Sequence, residues 1–179
     1  MLLPLGILAS ASGGADFELI STQVLGSAQA QIDFSVSAFS AQYKHLQIRM
    51  SAVTVADKLV QLRFNNDSGG NYSYHGLEGN GSSVDSFNNY AVTASWLGYS
   101  PAGSTYPSHA IVDILDPYST AKNTTIKTLW GSNQTSGNRI TLMSGGWFNT
   151  AAVTTISIFQ NSSAQFATGS RFSIYGLKG

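Results

Sequence analysis

Apolar and polar residues alternate with a period of two along most of the chain. Ile32, Phe34 and Val36 alternate with Asp33 and Ser35. Leu46, Ile48 and Met50 alternate with His45, Gln47, Arg49 and Ser51, and Val60, Leu62 and Phe64 with Gln61 and Arg63. Successive side chains of an extended strand point to opposite faces, so this rhythm predicts strands with one buried and one solvated side. Further strands are expected over residues 17–25, 71–77, 91–97, 109–115, 124–130, 139–143, 153–159 and 171–177. Turn-forming runs separate them, among them Asn65-Asn66-Asp67-Ser68-Gly69-Gly70, Gly79-Asn80-Gly81-Ser82, Asp116-Pro117 and Gly131-Ser132-Asn133. No stretch carries the 3.6-residue period of an amphipathic helix. The pattern predicts an all-β fold, a β-sandwich or jelly roll of about ten short antiparallel strands.

Residues 1–14, MLLPLGILASASGG, break the rhythm. The apolar run is far shorter than the roughly 20 residues of a membrane span. It lacks the cationic start of a signal peptide, since Lys44 is the first basic residue. Pro4 and Gly6 oppose a helix. The expectation is an extended arm that buries Leu2, Leu3, Leu5, Ile7 and Leu8 against a neighbouring subunit, with folding back on its own domain as the alternative. Residues 15–179 form the sandwich domain, and within it the last strand, with Phe172, Ile174, Tyr175 and Leu177, is the candidate for self-association.

At 179 residues the chain has the size of one domain. Charged residues make up 10% of it, against about 25% in an average protein. Nine Lys and Arg balance nine Asp and Glu. Nucleic-acid binding needs a clustered cationic surface, which so few basic groups do not supply. With no cysteine, disulfides, zinc–thiolate sites and thiol catalysis are excluded. The surface is instead covered by Ser, Thr, Asn, Gln and Gly, and low net charge favours association. The Asn-x-Ser/Thr sequons at Asn71, Asn80, Asn123, Asn133 and Asn161 are what chance produces in such a composition.

Catalytic chemistry has little to stand on. His45, His75 and His109 lack metal-ligand spacing, and neither a Gly-x-Ser-x-Gly elbow nor a phosphate-binding Gly-Lys-Ser/Thr step occurs. Asp113 and Asp116 could hold Ca²⁺ with nearby carbonyls, but Asp116 before Pro117 reads better as a turn residue, and Asp67 lacks the later carboxylate of an EF-hand loop. No catalytic residue, cofactor or metal is therefore assigned. Aromatic residues could stack on sugar rings, and Trp96 with Tyr99 and Tyr106 of the 98–108 loop are the candidate glycan contacts. Trp130 ends an apolar strand, and Trp147 follows Gly145-Gly146, whose missing side chains would relieve crowding around a buried ring.

Several phrases taken in order carry a likeness. They are the opening MLLPLGILAS with FELISTQVLGS, the segment Tyr43-Lys44-His45-Leu46-Gln47-Ile48-Arg49-Met50, and the Asn/Gly loop with Asn71-Tyr72. Asp113-Ile114-Leu115-Asp116, the step Trp147-Phe148-Asn149-Thr150-Ala151-Ala152, and the ending from Gly169-Ser170-Arg171 to Gly179 complete them. Together they resemble a family of small standalone virion proteins of tailed bacteriophages, abundant in marine and cyanobacterial phages. Similar domains occur at the ends of longer tail-fibre-like proteins. The resemblance implies a β-sandwich and a structural role in a particle assembled in the host cytoplasm. On that basis the expected function is a capsid decoration (cement) protein, a homotrimer on the major capsid protein or another virion protein. A tail-fibre or head-fibre domain that binds host polysaccharide is the alternative, and a secreted carbohydrate-binding module is the third reading.

Overall fold

The computed structural model describes residues 16–103, 105–133 and 138–179, so the residues of the predicted arm, Leu2, Leu3, Leu5, Ile7 and Leu8, lie outside the described part. The described residues hold twelve strands: β1 (Phe17–Val24), β2 (Gln31–Ser35), β3 (His45–Ala52), β4 (Lys58–Phe64), β5 (Tyr72–Gly79), β6 (Val84–Val92), β7 (Ser95–Ser100), β8 (Ser108–Leu115), β9 (Thr124–Ser132), β10 (Arg139–Trp147), β11 (Thr155–Gln160) and β12 (Arg171–Leu177). Single 3₁₀ turns follow β2 and β11. The all-β expectation holds, with two strands more than the ten or so expected.

All strand pairs are antiparallel and form two sheets, ordered β1-β12-β3-β8-β9-β10-β5-β6 and β2-β11-β4-β7. The chain crosses between sheets after β1, β2, β3, β4, β6, β7, β10 and β11 and so wraps the jelly-roll path. In that path β1-β12-β3-β8 is the partner of the smaller sheet, and β7 of the smaller sheet packs on β9, β10 and β5 as well as on β8. Two inserted hairpins, β5–β6 and β9–β10, extend the larger sheet beyond β8.

The core is made from the inward positions of the period-two pattern. Leu46, Ile48 and Met50 of β3, Val112 and Ile114 of β8, and Phe172 and Ile174 of β12 face Ile32 and Phe34 of β2, Val60, Leu62 and Phe64 of β4, and Ile156 and Ile158 of β11. Trp130 and Trp147 are fully buried among them, as expected. The glycine that makes room for Trp130 lies across the sandwich, however. A Cβ on Gly98 of β7 would fall 2.0 Å from the indole Cδ2. Gly145 instead passes close under the Ser73 carbonyl, where a Cβ would sit 2.8 Å from the oxygen.

The turn after β4 works as a lock. Asn65 and Asn66 both have positive φ, at 52° and 56°, and Asp67 N–H donates to Phe64 O at 2.8 Å. Asn tolerates the left-handed region better than most residues, which accounts for the pair. Asn65 Oδ1 then accepts from the backbone of Thr154 and Thr155, at 2.7 and 3.1 Å, and Nδ2 donates to Ala152 O. The Asp67 carboxylate accepts from Trp147 Nε1 at 2.7 Å, Asn71 Nδ2 at 2.9 Å and Gly69 N–H at 2.9 Å. These bonds hold its pKa below the ordinary value, with the Trp147 bond the largest cause. Asp67 is thereby a structural carboxylate.

Two sequence expectations change. The strand expected over 91–97 is the end of β6, a turn and the start of β7. β6 went unrecognised because it is an edge strand exposed almost throughout, so no apolar rhythm marks it. The 98–108 loop begins later, since β7 runs to Ser100 and carries Tyr99.

Candidate functional site

The outer face of the larger sheet sets its polar and apolar residues in rows across the strands. One row, read through the register, runs Ser173, Arg49, Ile111, Leu129, Leu142, Leu77, Ser86 from β12 to β6. Four consecutive members are apolar and come from four different strands. Ile111 is 39% exposed, Leu129 47%, Leu142 58% and Leu77 53%. Ile140, two residues before Leu142 on the same face, is 61% exposed. Single exposed apolar residues are ordinary, but a contiguous group marks an interaction surface.

Polar neighbours frame this group. The next row carries Gln47, Asp113, Lys127, Ser144, His75 and Asn88. Gln47 Nε2 donates to Asp113 Oδ1 at 2.8 Å, and Lys127 stands directly across from Asp113 in register. Two shallow grooves lie on the face. One, of about 390 Å³, is lined by Arg49, His109, Ile111, Leu129 and Ile140, with the side-chain-free Gly131 between. The other, of about 540 Å³, is lined by His75, Leu77, Asn88, Lys127 and Leu142.

At the β1 edge the face is braced. Phe17 stacks on Tyr175 with ring centroids 4.7 Å apart, and the Arg49 guanidinium lies 5.0 Å from the first ring and 5.2 Å from the second. Tyr43 OH donates to Glu18 Oε2 at 2.6 Å and Lys178 Nζ to Glu18 Oε1 at 3.0 Å. The Tyr43 bond, followed by the Lys178 bond, holds the Glu18 carboxyl below its usual range. The backbone is tied as far back as Asp16, whose carbonyl accepts from Lys178 N–H at 3.0 Å. Asp16 is thus tied to one edge of this sheet.

The other singled-out residues disperse. β12 lies inside the larger sheet, hydrogen-bonded to β1 on one side and β3 on the other. Phe172 and Ile174 face the core, which leaves only Tyr175 and Leu177, both half-buried, with surface to offer a partner. The edges of this sheet are β1 and β6. Trp96 packs among Tyr74 and Phe87, with centroids 5.7 and 4.5 Å away. The Arg139 guanidinium sits 4.7 Å from the Tyr99 ring centroid. Of the three candidate glycan contacts only Tyr106 is exposed, at 61%.

The polar candidates are engaged locally. His45 Nδ1 accepts Asp116 N–H at 3.0 Å. Asp116 has φ 50°, turns the chain before Pro117 and ion-pairs with Lys122. Among the described residues no three His, Asp or Glu side chains gather as a metal-binding group, and no helix is long and apolar enough to cross a membrane.

The outer apolar row was not singled out from the sequence, yet it left a trace there. β8, β9 and β10 carry apolar residues at both parities: Ala110, Ile111 and Val112; Leu129 and Trp130; Leu142 and Met143. Strands apolar on both parities are those covered on both faces. Comparison of the chain with family models, with curated proteins and with solved structures finds no match.

Proposed function

We propose that this chain is a non-enzymatic structural protein of a tailed-phage particle, acting as a capsid decoration protein that binds the mature shell. The observation that carries the reading is the outer face of the larger sheet. Four apolar residues in one row with Ile140 beside them, in a chain with only 10% charged residues, suit a surface that works covered. Resemblance to small virion proteins supplies the setting, and the jelly-roll path is one used by viral capsid domains. A protein that binds the assembled lattice and not the free capsid subunit stabilises the shell by linkage alone, without catalysis. Closed symmetry, with a trimer as the expected state, would let each copy cover part of the next. In a reducing cytoplasm this cysteine-free chain relies on burial in place of disulfides.

The fibre alternative, in which Trp96, Tyr99 and Tyr106 bind polysaccharide, has less support, because the first two rings are already packed against neighbours. Quantitative mass spectrometry of purified particles, referenced to the major capsid protein, separates the readings. Decoration requires a copy number comparable with the capsid protein, whereas a few dozen copies or fewer place the chain on the tail or a fibre. Absence from particles removes the virion reading.

A further inference from the structure

We infer that Asn80, at the tip of the β5–β6 hairpin, is a self-modifying site: the backbone nitrogen of Gly81 attacks its side-chain amide and converts it to aspartate and isoaspartate. The inference is independent of the proposed function, since it needs only the folded turn and water.

The turn supplies each part of this reaction. Asn80 is the one asparagine of the chain that is followed by glycine, so only here does the attacking residue bring no side chain of its own into the path. Both residues are exposed. Gly81 has φ 88°, and a Cβ there would meet nothing within 4 Å. Asn80 Oδ1 accepts the backbone N–H of Ser82 at 2.9 Å and of Ser83 at 2.8 Å, and Nδ2 donates to Ser83 Oγ at 3.0 Å. Asn80 N–H is tied to Ser83 O at 3.2 Å, but Gly81 N–H donates to no acceptor among the described residues.

These contacts match what ring closure requires. An amide nitrogen that acts as nucleophile must lose its proton and bend out of the peptide plane, and one outside the hydrogen-bond ladder is free to do both. As it bonds to Asn80 Cγ, the carbonyl electron pair moves onto Oδ1, which becomes an oxyanion. The two N–H groups already aimed at that atom stabilise the new charge. The Gly81 proton passes to a base in solvent. The Cγ–Nδ2 bond then breaks, and the nitrogen leaves as ammonia, protonated by water or through the Ser83 hydroxyl beside it. The ring so closed is a succinimide. Water adds to either of its carbonyls and opens it, giving aspartate or isoaspartate. Nothing is oxidised or reduced, and the net change is amide and water to carboxylate and ammonium.

Placement gives the step a consequence. Gly79, the preceding residue, pairs with Ile140 at the corner of the outer face. Each conversion adds a negative charge there to a chain with no formal net charge. Aspartate can keep the bonds from Ser82 and Ser83, whereas isoaspartate adds a methylene to the main chain where it turns into the edge strand β6.

The test follows conversion at position 80 by peptide mass spectrometry that separates the two products. Full-length protein is incubated at mildly alkaline pH, native and, in parallel, unfolded in guanidinium chloride. Hydrogen bonds to an ionised oxygen are roughly twice as strong as those to a neutral one. At the net worth of an exposed bond, that difference makes the native turn react about 2–10 times faster than the unfolded chain. Isoaspartate is expected among the products, because it arises only through the ring. Ser82→Pro removes one donor to Oδ1 and leaves the attacking nitrogen in place, so its native rate should fall towards the unfolded one, with a urea transition showing that it folds. A native wild-type rate equal to or below the unfolded rate would overturn the inference. So would aspartate as the only product, an unchanged native rate in Ser82→Pro, or faster conversion at an asparagine not followed by glycine.

Discussion

Replacing Gly98 with alanine tests how tightly the two sheets are closed over Trp130. The added Cβ would lie 2.0 Å from Cδ2, 2.2 Å from Cγ and 2.6 Å from Cε2 of the indole. Ordinary contact begins near 3.4 Å, so the ring has to retreat by about 1.4 Å. It has nowhere to go. Trp130 is fully buried, and its Nε1 donates to Tyr99 O at 3.0 Å on the strand that carries the new methyl group. Overpacking a well-filled core costs about 1–3 kcal/mol. Losing the indole hydrogen bond adds about 1 kcal/mol. The expected destabilisation is therefore about 2–4 kcal/mol, a large share of a typical domain's total. Urea unfolding followed in parallel by circular dichroism and tryptophan fluorescence measures it, with coincident transitions as the check on two-state behaviour. Gly131→Ala is the control, since Gly131 neighbours the same tryptophan in sequence but a Cβ there meets nothing within 4 Å. In a strand that change should be neutral or stabilising by about 0.5 kcal/mol. A Gly98→Ala cost below about 1 kcal/mol, or equal effects at the two glycines, would refute the packing argument.

Further expectations follow from the turn after β4 and from the buried phenols. Asp67→Ala should cost about 1.5–3 kcal/mol, the range for hydrogen bonds to a charged group, in thermal or urea unfolding at neutral pH. Because the folded pKa of Asp67 is depressed, its contribution is complete above the unfolded value near 3.9 and is lost as pH falls through the lower folded value. Asp67→Asn should accordingly flatten the acid limb of stability against pH, and a limb identical to wild type would exclude that role. Asn65→Ala removes the anchor to Thr154 and Thr155 and puts alanine at positive φ, for a loss of about 2–3 kcal/mol in urea unfolding. Tyr72 and Tyr118 are both pushed up to about 12 by burial. Alkaline ultraviolet titration should show them still protonated where exposed tyrosines ionise near pH 10. Stability falls as pH rises through that unfolded value, since the unfolded chain then releases protons the folded one keeps. Complete ionisation of all eight tyrosines near pH 10 with the fold intact would contradict the burial.

The division between chain and fold follows from what a period of two reports. Ile48 beside Gln47 and Arg49, or Leu62 between Gln61 and Arg63, tells which side of a strand is buried, and the inward residues of β3, β4 and β8 are legible on that basis. So are the all-β class and the burial of Trp130 and Trp147. The rhythm is silent where there is no contrast, which is why the exposed edge strand β6 went unseen. It also names no neighbours. That β12 lies between β1 and β3, and that Gly98 rather than Gly145 makes room for a tryptophan, depends on which strands meet. The apolar row of Ile111, Leu129, Leu142 and Leu77 has the same origin. Its members come from four strands spread over residues 77 to 142, and each alone reads as an ordinary exposed aliphatic residue. Only pairing in register brings them side by side. Local alternation is written residue by residue in the chain, whereas a surface is a property of contacts between distant segments, and those exist only once the sheets have closed.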